Sequence, residues 1–347
     1  MNKLKVGIIG ATGYVGIELL RLLLTHSEVE VAAISSSSFE KMKITDVYPN
    51  LLGYTSLICE SAQEVIAKSE LLFLALPHGL SEEIADTALA QGKKVVDLGA
   101  DFRLEDESEY EKWYGKKFLN GSLHEKSVYG LCEVNRELIK ESSIIANPGC
   151  FPTSIALALI PLLKNKLIKK DMIIIDSKSG VTGAGRGLSL TSHYAESNEN
   201  ISPYKIGGVH RHIPEIEQSL SKAFGEEIRV VFTPHLIPVN RGILSTIYCE
   251  LSEDVNYDKV YETLVETYNN EQFVNILPKG QIASIKSVTL SNNCQISVHF
   301  DDRTNKLILC SVIDNMIKGA AGQAIQNMNI MMGYPENKGL EFLAPAF

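Results

Sequence analysis

Long apolar runs are missing from this chain of 347 residues, for the longest, Ile155 to Leu163, already contains Pro161. A membrane-crossing helix needs about 20 apolar residues, so no segment is expected to span a bilayer. Positive charge is short as well: Lys and Arg total 33 against 42 Asp and Glu, a formal balance of −9. Affinity built on neutralising phosphates would need the reverse balance, which excludes nucleic acid as the expected partner. Cysteine is sparse, with residues 59, 132, 150, 249, 294 and 310 showing no CxxC and no short regular spacing. That excludes a disulfide frame and a zinc ribbon and points to reduced thiols. Internal repeats are absent, and the one biased stretch is Ser35–Ser38. The N-terminal Lys3–Gly10 segment lacks the unbroken apolar core of a signal peptide, since glycines interrupt it and Glu18 and Arg21 follow. The expectation is a cytoplasmic protein that keeps its N-terminus.

What is present reads as two domains at roughly 150 residues each. Lys5–Ile9 is a short apolar run, Val15, Leu19, Leu20 and Leu23 recur at helical spacing, and Glu30–Ile34 reads as a second strand. Similar runs at Leu71–Leu76, Val95–Leu98 and Ile144–Ala146 alternate with helix-like stretches such as Glu82–Ala90. The alternation predicts an α/β fold with a Rossmann-type doubly wound parallel sheet. Beyond residue 150 the texture becomes β-rich at Met172–Ser177, Ile228–Pro234, Gly242–Leu251 and Val288–Phe300, which predicts an α+β domain around a mixed sheet. Asp314–Met328 reads as a small-residue helix that returns to the first domain. The expected division is 1–149 with 313–347, and 150–312.

Gly7-Ile-Ile-Gly10-Ala-Thr12-Gly13-Tyr14-Val15-Gly16 joins the first strand to the first helix. Glycines there allow a tight turn and bring backbone N–H groups to a pyrophosphate at the helix N-terminus. The GxxGxxG spacing departs from GxGxxG. An NAD site would place a carboxylate at the end of the second strand, whereas this chain has Ser35, Ser36, Ser37 and Ser38, then Lys41 and Lys43. Hydroxyls and ammonium groups suit a ribose 2′-phosphate, so NADP(H) is the expected cofactor.

Asn147-Pro-Gly-Cys150-Phe-Pro-Thr153 follows a short apolar strand and precedes a helical stretch. A cysteine at a helix N-terminus is favoured as thiolate by the dipole and the free N–H groups. The other five thiols read as small buried hydrophobes. In Gly207-Gly-Val-His210-Arg211-His212-Ile-Pro214-Glu215, Pro214 suits a first helical turn, which leaves His210 on a loop where an acid/base group can be presented. An HxH metal pair lacks a third ligand, so no metal is expected. His26, His124, His193, His235 and His299 read as surface or packing residues. Arg103, Lys178, Arg186, Arg211 and Arg241 lie beside turn residues and together are expected to supply a local positive field for phosphate or carboxylate.

GATGYVG, LPHG at 76–79, DFR at 101–103, NPGCFPT at 147–153, SGVTGAGR at 179–186, HRHIPEIEQ at 210–218 and KGAAGQAIQNMN at 318–329 occur in one order along the chain. This set resembles the N-acetyl-γ-glutamyl-phosphate reductase family, within the acyl-phosphate-reducing dehydrogenases that include aspartate-semialdehyde dehydrogenase. The likeness covers nearly the whole chain, and its specific parts are the cysteine turn and the HRHIPEIEQ segment. It implies NADPH-dependent reduction of an acyl phosphate in arginine biosynthesis through a thioester, with Cys150 as nucleophile and His210 as acid/base partner. It further implies cofactor contacts at Gly10, Thr12, Gly13, Tyr14, Val15, Ser35, Ser36, Ser37, Pro77, Ser179, Gly180 and Asn315, and substrate contacts at Arg103, Tyr204, His212 and Glu215. The first domain would then bind NADP, the second would carry catalysis and oligomerisation, and the protein would be a homo-oligomer, dimer or tetramer.

Other readings remain open at this point. A related acyl phosphate, aspartyl or carrier-bound aminoadipyl, would use the same chemistry. A short-chain-type reductase would need a Tyr-xxx-Lys pair, and the one candidate, Tyr334 to Lys338, contains Pro335 and sits in the tail. A non-catalytic NADP-binding regulator would have no use for a reactive cysteine.

Overall fold

The computed structural model describes residues 3–346. Its framework divides into two compact units: the chain to Pro148 together with Ala320–Glu341, and Gly149–Gly319 together with the tail from Phe342.

The first unit is built on seven strands, β1 (Leu4–Ile9), β2 (Val29–Ser35), β3 (Cys59–Glu60), β4 (Leu71–Leu74), β5 (Lys94–Asp97), β6 (Val128–Tyr129) and β7 (Ile144–Ala146). They lie in the order β3-β2-β1-β4-β5-β7-β6, and every pairing is parallel. Such a sheet is covered on both faces, which is why β4 is apolar and buried at all of its positions. The helix Tyr14–Leu23 buries Leu19, Leu20, Leu22 and Leu23, and Ile9, Leu72, Leu74, Val95 and Ala146 lie in one buried cluster with Val65 and Ala85. Helix Gly322–Met331 packs on helices Tyr14–Leu23 and Cys132–Glu141, with all ten of its residues buried. Two of its buried amides converge on one acceptor: Gln323 and Asn327 both donate to the Gly130 carbonyl, at 2.9 and 2.8 Å.

The second unit holds β8 (Ile173–Ser179), β9 (Ser202–Pro203), β10 (Val230–Leu236), β11 (Ile243–Cys249), β12 (Val274–Ile276), β13 (Cys294–Asp301) and β14 (Lys306–Ile313) in the order β12-β13-β14-β11-β8-β10-β9. The sheet is mixed, with β12–β13 and β8–β10 parallel and the other pairs antiparallel. Along β8 the burial alternates: Ile173, Ile175, Ser177 and Ser179 face the core while Ile174, Asp176 and Lys178 are half-exposed. The covered face packs on helix Cys150–Lys164, which is buried from Phe151 to Leu163 and flanked by helices Ile213–Phe224 and Tyr257–Tyr268.

Two sequence expectations are corrected. Val288–Phe300 is not one strand: β13 begins only at Cys294, because the preceding residues fold into turns in which Leu290 has φ +61° and donates its N–H to Asp314 at 2.8 Å. Asp314–Met328 is not one α-helix either. It opens with a turn capped by Asp314, runs through a π-helical turn at Ile317–Ala321, and becomes α-helical at Gly322. No helix among the described residues is long and apolar enough to cross a membrane.

Candidate active site

In the first unit the glycine turn sits between β1 and helix Tyr14–Leu23, as expected. Gly10 has φ +89°, and a Cβ there would run into the Ala75 carbonyl, while a Cβ on Gly16 would meet the Gly10 carbonyl. Both positions exclude side chains so that the turn can close. The Ser35 carbonyl accepts the N–H groups of Gly10 and Ala11, at 3.2 and 2.9 Å, and the Thr12 and Ser36 hydroxyls meet at 2.7 Å with both residues buried. Gly13 is the residue before the helix, Tyr14 and Val15 open it, and Ser37 and Pro77 are exposed.

A buried carboxylate pair missed in the sequence holds the segment after Pro77. Asp101 accepts the N–H groups of Gly79 and Ser81 and the Tyr110 hydroxyl, while Asp97 accepts the Ser81 hydroxyl at 2.7 Å and the Gly99 N–H at 3.0 Å. Burial first, and then the neighbouring Asp101, push the Asp97 carboxyl up to about 7. Two aspartates four residues apart around a glycine at a strand end were the available signal.

In the second unit Cys150 is the first residue of its helix and is half-buried. Gly149 precedes it in extended conformation, and the buried Glu215 accepts the Gly149 N–H at 2.7 Å. Phe151 turns its edge toward both His210 and His212, at ring distances of 5.6 and 5.9 Å. Tyr204 and Phe232 complete the aromatic wall around His210, at 5.6 and 5.3 Å. Burial in this wall, then His212, Lys205 and Arg211, push the His210 imidazole down to about 2, so it is neutral. Its Nδ1 accepts the His212 N–H at 3.1 Å, which assigns the remaining ring proton to Nε2. The Tyr204 hydroxyl is held above its ordinary value by burial and by the charge of Cys150. Cysteine, tyrosine and histidine are thereby brought to one place.

The other thiols differ physically. Burial raises Cys59 and Cys310 and pushes Cys249 up to about 12. Cys132 donates to Asn327 at 3.2 Å, and Cys294 is buried beside Ser311. Among the described residues no group of three or more His, Cys, Asp and Glu is placed to hold a metal.

Ser179 ends β8 and is buried, and Gly180 lies where a Cβ would come within 2.6 Å of the Asn240 carbonyl. Asn315 braces this turn, accepting the Gly242 N–H at 2.7 Å and donating to Thr182 at 3.0 Å. Three members of the expected positive field have protein partners. Lys178 pairs with Asp176 at 2.7 Å, Arg241 lies 3.5 Å from Asp314, and Arg103 donates to the Asn147 and Leu98 carbonyls, at 2.9 Å each. The histidines set aside as packing residues include one buried pair, His124 with Glu82 at 3.3 Å.

A family model described as semialdehyde dehydrogenase, NAD binding domain, matches residues 5–142, and one described as semialdehyde dehydrogenase, dimerisation domain, matches residues 150–315. The chain is 60% identical to the N-acetyl-γ-glutamyl-phosphate reductase of Clostridium beijerinckii over 99% of both sequences. The chain belongs to the N-acetyl-γ-glutamyl-phosphate reductase family. A Brachyspira hyodysenteriae member of the reductase family is 51% identical, over 99% of this chain and 100% of that one. Among solved structures, aspartate semialdehyde dehydrogenase II from Vibrio cholerae superposes with a TM-score of 0.74 at 19% identity, over 95% of this chain and 99% of that one, a likeness of fold. The nicotinamide-dinucleotide domain and the Rossmann-type sheet expected from the glycine turn therefore hold for this reductase family member.

Proposed function

We propose that the chain reduces N-acetyl-γ-glutamyl phosphate with NADPH to N-acetylglutamate 5-semialdehyde and phosphate, a step of arginine biosynthesis, through a thioester on Cys150. The observation that carries the reading is the position of Cys150: it opens a buried helix, and the next residue, Phe151, packs against His210, which Tyr204 also meets. A thiolate there is favoured by the helix N-terminus.

The steps balance on these groups. The Cys150 thiolate attacks the acyl carbon, the carbon–oxygen bond to phosphate breaks, and phosphate leaves with its electron pair. When bound, NADPH supplies a hydride to the thioester carbon. The resulting thiohemiacetal oxyanion collapses and expels Cys150 as thiolate, so the sulfur ends as it began. His210 is neutral with its proton on Nε2, and it stabilises the developing oxyanion as a hydrogen-bond donor without first taking up a proton. Tyr204 and His212 face the substrate, while Glu215 and Arg103 act through the main chain they hold.

The residues fit the cofactor. Gly10 and Gly16 let the turn close tightly between β1 and the helix N-terminus, and β2 ends in Ser35, followed by Ser36 and Ser37, with no carboxylate to repel a 2′-phosphate. Gly10, Thr12, Gly13, Tyr14, Val15, Ser35, Ser36, Ser37 and Pro77 are the first unit's cofactor residues. Ser179 and Gly180 are those of the second, on the turn that Asn315 braces.

The assembly is a homodimer or homotetramer. In support, Val231, Ile174, Tyr248 and Ile308 form a cross-strand apolar row on the outward face of the second sheet, with Val231 56% and Tyr248 37% exposed. All six cysteines are free thiols, which suits the reducing cytoplasm.

The deciding assay runs in the oxidative direction with NADP and phosphate, offering N-acetylglutamate 5-semialdehyde and aspartate semialdehyde. A preference of about a hundredfold or more for the acetylated aldehyde is expected, since a site that pairs a substrate's polar groups rejects analogues lacking them. Equal or reversed preference assigns the chain to another acyl phosphate.

A further inference from the structure

Cys150 is met by a residue of the KGAAGQAIQNMN segment to which no role has been given above. A Cβ built on Gly319 would lie 2.8 Å from the Cys150 Cβ, 3.2 Å from its Cα and 3.3 Å from the Ile313 Cδ1. Carbon atoms in unstrained contact stand about 3.5–4.0 Å apart, so this slot accepts hydrogen and nothing larger. Gly319 is not among the glycines with positive φ, so its backbone is open to any residue and the exclusion comes from the contact alone.

The turn carrying Gly319 has little room to retreat. It is the π-helical turn Ile317–Ala321, a geometry that is rare and tends to occur at functional sites. Asp314, fully buried, fastens it: its carboxylate accepts the N–H groups of Met316 and Ile317, at 2.8 and 3.1 Å, and its carbonyl accepts the Gly319 N–H at 3.0 Å. The other carboxylate oxygen accepts the Leu290 N–H at 2.8 Å, which ties the turn to the segment before β13. One residue before the nucleophile, Glu215 holds the Gly149 N–H at 2.7 Å. Cys150 therefore has an anchored N–H immediately before it in the chain and an anchored glycine against its Cβ.

We propose that Gly319 is a positioning residue for the nucleophile: its missing side chain sets where the Cys150 sulfur stands relative to the acyl carbon. The inference rests on the reading of Cys150 as nucleophile. A methyl at 319 moves the start of the Cys150 helix by several tenths of an ångström, and displacements of about 1 Å in a reacting pair cost about a hundredfold in rate.

The test is Gly319→Ala in the full-length protein, with kcat expressed per Cys150 titrated by stoichiometric alkylation. The expected result is a kcat lowered about tenfold or more, with KM for the acyl phosphate and for NADPH within about threefold of the parent. A kcat per titrated thiol within about twofold of the parent overturns the inference, because a merely structural role lowers the amount of active protein and leaves the rate of each folded molecule unchanged. Should Gly319→Ala be insoluble, the pair Cys150→Gly with Gly319→Ala decides. Removing the Cβ that the methyl meets at 2.8 Å is expected to restore soluble protein that binds NADP, and insolubility of the pair overturns the inference by placing the decisive contact outside the Cys150 side chain. The parent reading fails separately, through turnover by Cys150→Ser.

Discussion

The carboxylate of Glu215 accepts the N–H of Gly149 at 2.7 Å, one residue before Cys150. A buried side chain from the HRHIPEIEQ segment thus sets the main chain at the entry to the nucleophile's helix. The two motifs most specific to this reductase family are one hydrogen bond apart.

If that bond is what Glu215 provides, an acceptor of the same shape replaces it. Glu215→Gln is expected to keep kcat within about threefold, while Glu215→Ala lowers it by about tenfold to a hundredfold and destabilises the fold by about 1–3 kcal/mol by leaving the Gly149 N–H unpaired. Steady-state kinetics beside denaturant melts check this. A Gln variant as impaired as the Ala variant would mean that the charge itself acts on the substrate.

His210 is buried neutral: burial pushes its imidazole from the ordinary 6.5 down to about 2. Between those values the unfolded chain binds a proton that the folded chain does not, so stability falls as pH is lowered through this window, by about 1.4 kcal/mol per pH unit for one group. His210→Gln is expected to remove one proton's worth of this slope in denaturant titrations from pH 6.5 to 4.5, and to lower kcat about a hundredfold at neutral pH. An unchanged slope would show that the imidazole is charged in the folded protein.

Asp97 works in the opposite direction, since burial and Asp101 push its pKa from 3.8 to about 7. Between those values the folded chain holds a proton that the unfolded chain has lost, so stability declines as pH rises from about 4 to 7. Asp97→Asn keeps an oxygen for Ser81 and Gly99 and cannot ionise. Its stability relative to the parent is expected to be higher at pH 8 than at pH 4.5, read from paired melts, and a constant difference across that range contradicts the protonated carboxyl.

On the proposed reading the serine turn at the end of β2 selects NADPH over NADH. Ser37 is exposed, so Ser37→Asp leaves the core intact while placing a carboxylate beside the expected 2′-phosphate. The kcat/KM for NADPH is expected to fall about tenfold or more while that for NADH holds or rises. Equal losses with both cofactors would move the 2′-phosphate contact elsewhere.

The parts legible in the sequence were those with a local signature. The glycine turn, the alternating strands of the first unit and the place of Cys150 at a helix start follow from glycine spacing, apolar periodicity and a short strand ahead of a helical run. What stayed hidden depends on distant partners. Nothing local at Gly319 marks it as the wall behind residue 150, and nothing local at Glu215 names Gly149 as its donor. Arg241 looked like a fork for ligand because its partner Asp314 is far along the chain. Lys178 is a different failure: Asp176, two residues earlier on the same strand face, was in plain view. Val288–Phe300 looked continuous because its turn is made by Leu290, a residue that ordinarily favours regular structure.

The proposed reaction puts a covalent acyl group on one sulfur, that of Cys150. Incubating the protein with N-acetyl-γ-glutamyl phosphate in the absence of NADPH, quenching in acid and mapping the modified peptide by mass spectrometry reads it directly. One N-acetylglutamyl thioester per chain is expected on Cys150, formed with release of one phosphate and discharged as aldehyde when NADPH is added. Stoichiometric phosphate release with no adduct, or an adduct on any other cysteine, would contradict it.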